Sequence, residues 1–198
     1  MSSSPPNVVA LRPEDRERAL ATILLGFSAD PFLRYLWPDP AVYCDARPVI
    51  DVLAGAAVTL GTGYQVADFG GVALWLPPQH QLDQEKILSR MQATVPAERL
   101  PDLLAISQAL DGYHPKDDCW YLSMIAVDPG RQGQGLGSLL MKEALRRCDA
   151  QGLPAFLESS NPQNISLYER HGFETLGQIK VSEAAPLITP MLREPKAG

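Results

Sequence analysis

The sequence predicts an α/β fold in which helices flank a mixed central sheet, and three observations support this fold class. The length of 198 residues suits a single domain spanning 1–198. With 45% hydrophobic and 20% charged residues, the composition is that of an ordinary soluble globular protein. Patterns typical of strands and helices alternate over 119–193, whereas 1–118 has a mixed pattern. We therefore expect one domain built from two unlike halves.

Charge and composition narrow the classes of partner. The formal net charge is −6, from 17 basic and 23 acidic residues. This balance argues against nucleic acid or an anionic membrane as the partner and favours a cationic small molecule. Three cysteines and three histidines show no spacing typical of a metal site, so we predict no metal. With no signal peptide and no apolar run long enough to span a bilayer, we expect a cytoplasmic protein.

The first half of the chain has signals for one strand, three helices and a hairpin. An apolar run at Val8–Leu11 predicts the first strand, and Pro13 predicts the start of a helix. A short helix is expected over Phe32–Trp37, followed by a third whose apolar positions run from Val49 to Leu60. Two apolar runs separated by Gly70-Gly71 then predict a β-hairpin, with strands at Tyr64–Phe69 and Val72–Leu76.

The first half ends with a helical excursion over 79–118, for which we expect one or two helices, and the second half begins after it. Beyond it we predict strands at Cys119–Val127, Ala155–Leu157, Leu176–Val181 and Leu187–Leu192. One helix should follow the glycine-rich segment Gly130–Gly137 and end at Gly152. Another should begin at Asn161-Pro162, a favourable N-cap followed by proline, and run to His171.

Gly133, Gly135 and Gly137 stand at alternate positions just before a predicted helix. Such a loop leaves backbone N–H groups unobstructed at the positive end of the helix, which suits a pyrophosphate. A glycine-rich turn without a ligand remains an alternative. A Walker A loop would need a lysine before Ser138. A dinucleotide fingerprint could use Glu158, 21 residues after Gly137, but only about 60 residues remain for the rest of such a fold.

Two motifs in this half resemble those of the GNAT N-acetyltransferases. Gln132-x-x-Gly135-x-Gly137 matches the acetyl-CoA signature Q/R-x-x-G-x-G/A of that family. The segment from Asn161 to Phe173 is similar to its second motif, N-x₆-Y-E-x-x-G-F. Within the family, the stretch 120–193 is most similar to puromycin N-acetyltransferase-like members. The resemblance implies an acetyl-CoA-binding half at 119–193 and an acceptor-side half at 1–118.

The resemblance also implies where acetyl-CoA would bind. The strand ending at Val127 would be splayed from its neighbour by a bulge, with the pantetheine arm in the gap. Backbone groups of the strand would pair with the arm, the loop would hold the pyrophosphate, and Arg131 would add positive charge. The implied cofactor-binding residues are Ile125, Ala126, Val127, Arg131, Gln132, Gly133, Gln134, Gly135, Leu136, Gly137, Ser138, Asn161, Asn164 and Tyr168.

Two residues are candidates for catalysis. Tyr168 would protonate the leaving CoA thiolate, because a phenol is protonated at neutral pH. The alternative is a core aromatic residue, three positions after Ile165 on the same helix. Glu158 would either relieve the incoming ammonium of its proton, bind the cation of the substrate, or cap the helix at Pro162. Asn161 is either an N-cap or a cofactor contact, and Asn164 faces the same side as Tyr168. His171 is expected to interact with the helix dipole.

We therefore predict an acetyl-CoA-dependent N-acetyltransferase that transfers an acetyl group to a primary amine of a small molecule by direct attack, as a monomer or homodimer. A non-catalytic acyl-CoA-binding sensor is an alternative, as is a dinucleotide-dependent oxidoreductase. Four aromatic residues belong to elements that such folds place around the acceptor cleft, although each could equally be a core residue: Tyr35, Trp37, Tyr64 and Trp75.

Overall fold

The computed structural model describes residues 6–80 and 82–196, so residue 81 of the predicted excursion and both chain ends lie outside it. The described strands are β1 Val8–Ala10, β2 Gly63–Val66, β3 Gly71–Leu76, β4 Trp120–Val127, β5 Ala155–Ser159, β6 Glu174–Thr175 and β7 Thr189–Arg193. The described helices are α1 Arg16–Gly26, α2 Pro31–Leu36, α3 Arg47–Thr59, α4 Gln84–Thr94, α5 Leu100–Asp111, α6 Leu136–Gln151 and α7 Ile165–Arg170. None of these helices is long and apolar enough to cross a membrane.

The strands form one mixed sheet in the order β1-β2-β3-β4-β5-β7-β6. Neighbouring strands pair antiparallel except β4 and β5, which pair parallel. The predicted α/β class is therefore confirmed. The doubly wound parallel sheet that a dinucleotide-binding fold needs is not what these residues form, so the dinucleotide alternative is wrong.

Helices cover both faces of the sheet, which explains why the sequence of β3 is apolar throughout. Val72, Leu74 and Leu76 pack into the core under α1 and α3, whereas Ala73 and Trp75 pack into the core under α6. Successive side chains of a strand point to opposite faces. A strand that is covered on both faces therefore needs an unbroken apolar run.

A bulge in β4 reverses which residues face which core. The pairing with β3 shifts register between Leu74 and Trp75, which leaves Ser123 as the extra residue of β4. As a result Trp120 and Leu122 face the α6 core, whereas Met124 and Ala126 face the core of α1 and α3. An uninterrupted strand would keep all four on one face. The bulge implied by the family resemblance is thus present.

The parallel ladder between β4 and β5 is short. Only Trp120 pairs with Ala155 and Tyr121 with Phe156. Beyond these pairs β4 continues to Val127 along β3, while β5 continues to Ser159 along β7. The two strands therefore separate and leave a gap whose walls are strand backbone, as predicted.

One predicted strand is wrong. Over 176–181 the chain forms only an isolated bridge between Ile179 and Ile188, and β6 lies earlier. The Lys180 ammonium donates to the carbonyl of Glu183 at 3.1 Å and also to that of Ala185, which curls the segment back on itself. Of this run only Ile179 is buried, and Leu176 is exposed, so the segment has no continuous buried face for a strand. The excursion, in contrast, contains α4 and α5, as expected.

Candidate active site

The glycine-rich loop joins β4 to α6 with a backbone that favours glycine. Gly133 and Gly135 have φ angles of +76° and +78°, which side chains other than glycine adopt only with strain. A Cβ atom at either position would meet no other atom within 4 Å. Packing against protein atoms therefore does not explain these glycines. The loop is open on the side from which a ligand would approach.

The first turn of α6 supplies the donors that the anion prediction needs. Gly135 is its N-cap, and the N–H groups of the first helical residues have no carbonyl partner within a helix. Leu136 is buried in the core, so only its backbone is available to a ligand. Gly137 lies close to Leu167, which would be 3.5 Å from an added Cβ. Gln132 and Gln134 are exposed on the loop.

Arg131 is held by the β2–β3 hairpin. Its guanidinium donates to the carbonyl of Ala67, and an added Cβ at Gly70 would collide with this side chain. Asp128 stabilises the start of the loop by accepting a 2.8 Å hydrogen bond from the N–H of Gly130. Because Arg131 is fixed and half-buried beside the loop, its charge stays there.

Ile125, Ala126 and Val127 line the β4 side of the gap. Each pairs with β3, at Ala73, Val72 and Gly71 respectively, and none pairs with β5. The backbone edge of β4 that faces the gap is therefore available to hydrogen-bond an extended ligand, because a strand presents donors and acceptors on both edges. This arrangement agrees with the predicted position of the pantetheine arm.

Tyr168 lies on α7 in the core under α6, with 5% of its surface exposed. Its ring meets that of Phe173 edge-on, with centroids 6.2 Å apart. Burial, and then the negative charge of Asp30, raise the pKa of the Tyr168 phenol above its ordinary value. The hydroxyl is consequently held in its protonated form at neutral pH, which a general acid needs.

Asp30 is a buried carboxylate that the sequence analysis did not single out. It is 6% exposed and acts as the N-cap of α2, accepting from the N–H groups of Phe32 and Leu33 at 3.0 Å each. Its other oxygen accepts a 2.6 Å hydrogen bond from the hydroxyl of Ser160, just after β5. Burial raises the pKa of Asp30, and these hydrogen bonds oppose the rise. The sequence signal that could have identified Asp30 as a helix N-cap is the proline that follows it.

Glu158 lies near the end of β5 and is bonded across the gap. Its Oε2 accepts a 2.6 Å hydrogen bond from the hydroxyl of Tyr121 on β4. Burial raises the pKa of the Glu158 carboxyl, whereas the Tyr121 hydrogen bond and the nearby charge of His114 lower it. His114 also packs on Phe156, with ring centroids 5.0 Å apart. Tyr121 and His114 are thus partners of Glu158 that sequence reasoning missed, since they are distant in sequence.

Glu158 does not cap the following helix, so that alternative is wrong. The side chain of Asn161 fills this role by accepting a 3.0 Å hydrogen bond from the N–H of Gln163. Asn164 is exposed at the start of α7, and its N–H donates to the carbonyl of Asn161.

A cavity of about 790 Å³ opens beside Glu158. Helices α4 and α5 provide most of its apolar wall, while Tyr121 and Glu158 lie on its sheet side. Its other ionisable side chains are His80, His114, Asp111, Lys116, Asp117 and Asp118. Carboxylates therefore outnumber cations in its lining, which favours a cationic guest. The excursion forms the wall of a cleft that reaches a candidate catalytic residue.

The four predicted acceptor-side aromatic residues do not line this cavity. Trp37 and Trp75 are 2% and 1% exposed and belong to the two cores. Tyr35 donates a hydrogen bond to Asp102 of α5, and Tyr64 packs at the edge of the α6 core. These four aromatic residues are therefore better described as packing residues than as residues of the acceptor cleft.

His171 has hydrogen-bond partners on both ring nitrogens. It is 9% exposed, with Nδ1 2.8 Å from the carbonyl oxygen of Leu167 and Nε2 3.0 Å from the hydroxyl of Ser138. Because a carbonyl oxygen can only accept, Nδ1 carries a proton and donates it to Leu167. This imidazole thus connects the end of α7 to the start of α6, beyond the expected interaction with a helix dipole.

Comparisons with known proteins agree with this geometry. The sequence model of the acetyltransferase (GNAT) family matches residues 72–173. An uncharacterized N-acetyltransferase of Schizosaccharomyces pombe is 27% identical over 201 residues, covering 92% of this chain and 81% of that protein. A solved structure of a histone acetyltransferase HPA2 and related acetyltransferase from Corynebacterium glutamicum has a TM-score of 0.67 and 22% identity, covering 98% of this chain and 99% of that one.

A second solved structure, arylalkylamine N-acetyltransferase 2 from Aedes aegypti, has a TM-score of 0.69 and 12% identity. The match covers 98% of this chain and 100% of that one, and at this identity it shows the fold alone. The family match, in contrast, spans more than half of the chain. This protein therefore belongs to the acetyltransferase (GNAT) family and is an N-acetyltransferase.

Proposed function

We propose that the protein transfers the acetyl group of acetyl-CoA to the primary amine of a small molecule with an apolar body. The observation that carries this proposal is the position of Glu158, which lines the large cavity and also lies at the gap between β4 and β5. A carboxylate at this position would lie between an acceptor bound in the cavity and an acetyl donor bound in the gap.

Acetyl-CoA is the usual donor of the family, and the residues present fit it. The open glycine loop offers N–H groups to a pyrophosphate, and the gap offers the backbone of Ile125, Ala126 and Val127 to the amides of an extended arm. One N–H of β4 would polarise the thioester carbonyl as negative charge develops on its oxygen. Asn161 and Asn164 would add side-chain amides at the start of α7.

Proton transfer would involve two residues at neighbouring elements. Glu158, whose pKa burial raises, would accept a proton from the incoming ammonium directly or through water. Tyr168, kept protonated by burial and by Asp30, would donate to the CoA thiolate. The amine would attack the thioester carbon, the C–S bond would break, and the thiolate would take the proton of Tyr168. The nitrogen would return its second proton to the Tyr168 phenolate, directly or through water, and Glu158 would release its proton to solvent, so that each turnover releases one proton.

The acceptor class follows from the cavity. Apolar side chains such as Ile87, Met91 and Leu103 would contact an apolar body, and burying such a body contributes about 25 cal/mol per Å². The acidic residues at the cavity, among them Asp111 and Asp118, would attract the ammonium form from solution. A small-molecule acceptor, acted on in the cytoplasm, is part of this proposal and is what a resemblance to puromycin N-acetyltransferase-like members would imply.

An amine panel tests the proposal. CoA release would be followed with acetyl-CoA and primary amines that differ in apolar size, with matched amines lacking an apolar body as controls. We expect turnover to rise with apolar size up to the capacity of the cavity. Turnover that is equal for apolar and polar amines would contradict the acceptor class. Thermal stabilisation by acetyl-CoA without CoA release from any acceptor would instead support the acyl-CoA sensor.

A further inference from the structure

A second groove, of about 540 Å³, lies on α6 away from the acceptor cavity. It begins at Ser138, in the first turn of α6, and extends past Lys142 and Arg146 on the same face of that helix. Arg170 and His171 at the end of α7 form its opposite wall. The groove therefore starts at the loop proposed to hold the pyrophosphate and leads away from the acetyl end.

The groove is strongly basic on a protein whose net charge is −6. Its one lining carboxylate, Asp149, is already engaged: it accepts two hydrogen bonds from Arg193, at 2.8 and 2.9 Å, and one from the N–H of Lys196. Those contacts lower the pKa of Asp149 and stabilise its ionised form beside Arg193. Asp149 therefore does little to offset the other cations of the groove.

Lys142 and Arg170 are two of the lining cations that have no such partner. Neither forms an ion pair with any carboxylate of residues 6–80 and 82–196. Both are exposed, and both line the groove. Arg146 differs, because it forms an ion pair with Glu143. Unpaired cations on a common groove repel each other, so an anion between them would be stabilised.

The spacing fits a second phosphate group of the same ligand. Lys142 follows Ser138 by four residues of α6, a rise of about 6 Å. In CoA, one ribose separates the pyrophosphate on its 5′ oxygen from the phosphate on its 3′ oxygen. A ligand whose pyrophosphate lies on the N-terminal N–H groups of α6 can therefore place a further phosphate beside Lys142.

We propose that this basic groove binds the 3′-phosphate of CoA, and that Lys142 and Arg170 make the protein prefer CoA over dephospho-CoA. The inference rests on the proposed function, since it needs the pyrophosphate at the glycine-rich loop. Lysine and arginine both donate charge-assisted hydrogen bonds to phosphate, which are stronger than those between neutral groups. Arg193 is not part of the recognition, because its guanidinium is committed to Asp149.

Calorimetric titration with CoA and dephospho-CoA tests this without any acceptor. We expect wild-type protein to bind CoA ~10-fold or more tighter than dephospho-CoA, as charge-assisted contacts to one phosphate provide. The double variant Lys142→Ala, Arg170→Ala should reduce that preference to less than about threefold while binding dephospho-CoA nearly as well as wild type does. Adenosine 3′,5′-bisphosphate should compete with CoA for wild-type protein and compete more weakly for the double variant.

The matched control is Lys86→Ala, Arg90→Ala. These two exposed residues are one turn apart on α4 and lie outside both cavities, and their replacement removes the same charge. The control should keep the full preference for CoA. Equal affinity of wild-type protein for the two ligands, or an undiminished preference in the groove variant, would overturn the inference and leave the acetyltransferase proposal intact. Failure of wild-type protein to bind either ligand would overturn both.

Discussion

The phenol of Tyr121 donates a 2.6 Å hydrogen bond to Oε2 of Glu158 at the point where β4 and β5 separate. Tyr121 belongs to the last registered pair of the parallel ladder, and Glu158 lies just beyond it. The hydrogen bond therefore spans the opening of the gap and orients the carboxylate into the cavity. Because a hydrogen bond to the ionised form lowers the pKa of an acid, Tyr121 also lowers the pKa of Glu158.

The first prediction is a pH shift. If Glu158 acts as a base, kcat/KM falls as the pH drops through its pKa, which burial places above the ordinary value of 4.5. Tyr121→Phe removes a contact that lowers this pKa, so the acidic limb of the pH–rate profile should move to higher pH. In Glu158→Gln the activity lost at neutral pH should be partly recovered at high pH, where the free amine forms unaided. Tyr64→Phe, a tyrosine outside the cavity, should leave the limb unchanged.

A loss confined to the acceptor KM of Glu158→Gln, and independent of pH, would contradict the base role. Glu158 would then be a residue that binds the cation of the substrate.

Tyr168→Phe tests the proposed acid. The substitution keeps the ring that packs against Phe173 and removes only the hydroxyl. We expect kcat to fall by ~10²–10⁴, the usual contribution of a positioned acid, with little change in the Kd of acetyl-CoA. Steady-state kinetics and calorimetry measure the two quantities. Near-normal turnover would mean that the thiolate is protonated by water and that Tyr168 is a core residue only.

Gly135→Glu should abolish the increase in melting temperature that acetyl-CoA produces in wild-type protein. The new side chain would bring steric bulk and a negative charge to the proposed pyrophosphate site. Gly61→Glu is the matched control, because Gly61 also has a positive φ, of +64°, and a Cβ added there would likewise meet no atom within 4 Å. Both variants lose stability through the same backbone strain. Only Gly135→Glu should lose the response to acetyl-CoA. A response retained in Gly135→Glu would place the phosphate elsewhere, and an equal loss in both variants would attribute the effect to backbone strain.

Filling the cavity beside Glu158 should weaken binding of the acceptor without changing the binding of acetyl-CoA. Ser107 of α5 is exposed and lines the cavity, whereas its neighbour Gln108 is exposed and does not line it. Ser107→Trp should raise the acceptor KM about tenfold and exclude the bulkiest amines first, while Gln108→Trp should behave like wild type. The Kd of acetyl-CoA should be unchanged in both. Equal KM values for the two variants would show that the acceptor binds elsewhere.

Asp30→Ala should lower the free energy of unfolding by about 1–2 kcal/mol, since it removes the N-cap of α2 and the partner of Ser160. Asp30→Asn keeps an acceptor for the N–H groups of Phe32 and Leu33 and should recover most of the loss. Urea unfolding followed by circular dichroism measures both. Equal stability of the two variants would show that the cap contributes nothing.

The second half of the fold could be predicted because its signals are local. The glycine loop, the Asn161 N-cap and the glycine after α6 each determine backbone geometry within a few residues, and all three are found where expected. The strand predicted over Leu176–Val181 failed because alternation and burial do not reveal whether a neighbouring strand is present.

The environment of Glu158 could not be predicted from the sequence. Tyr121 and His114 reach it through the pairing of β4 with β5 and through the path of the excursion, and both depend on long-range packing. The same is true of Asp30, which meets Ser160 across 130 residues of chain. A single sequence reports what a residue prefers locally and is silent about which distant residue it meets.

The wall of the cavity and the residues proposed for acetyl transfer come from different stretches of the chain, which affects how such proteins can diversify. α4 and α5 provide most of the apolar wall of the cavity beside Glu158, whereas the glycine loop, the gap and Tyr168 come from 120–173. Few sheet residues take part in that wall, so exchanging side chains on the two helices leaves strand pairing undisturbed. If the proposed function is correct, mutations in one stretch of the gene can change substrate preference while the residues proposed for acetyl transfer, in another stretch, stay the same.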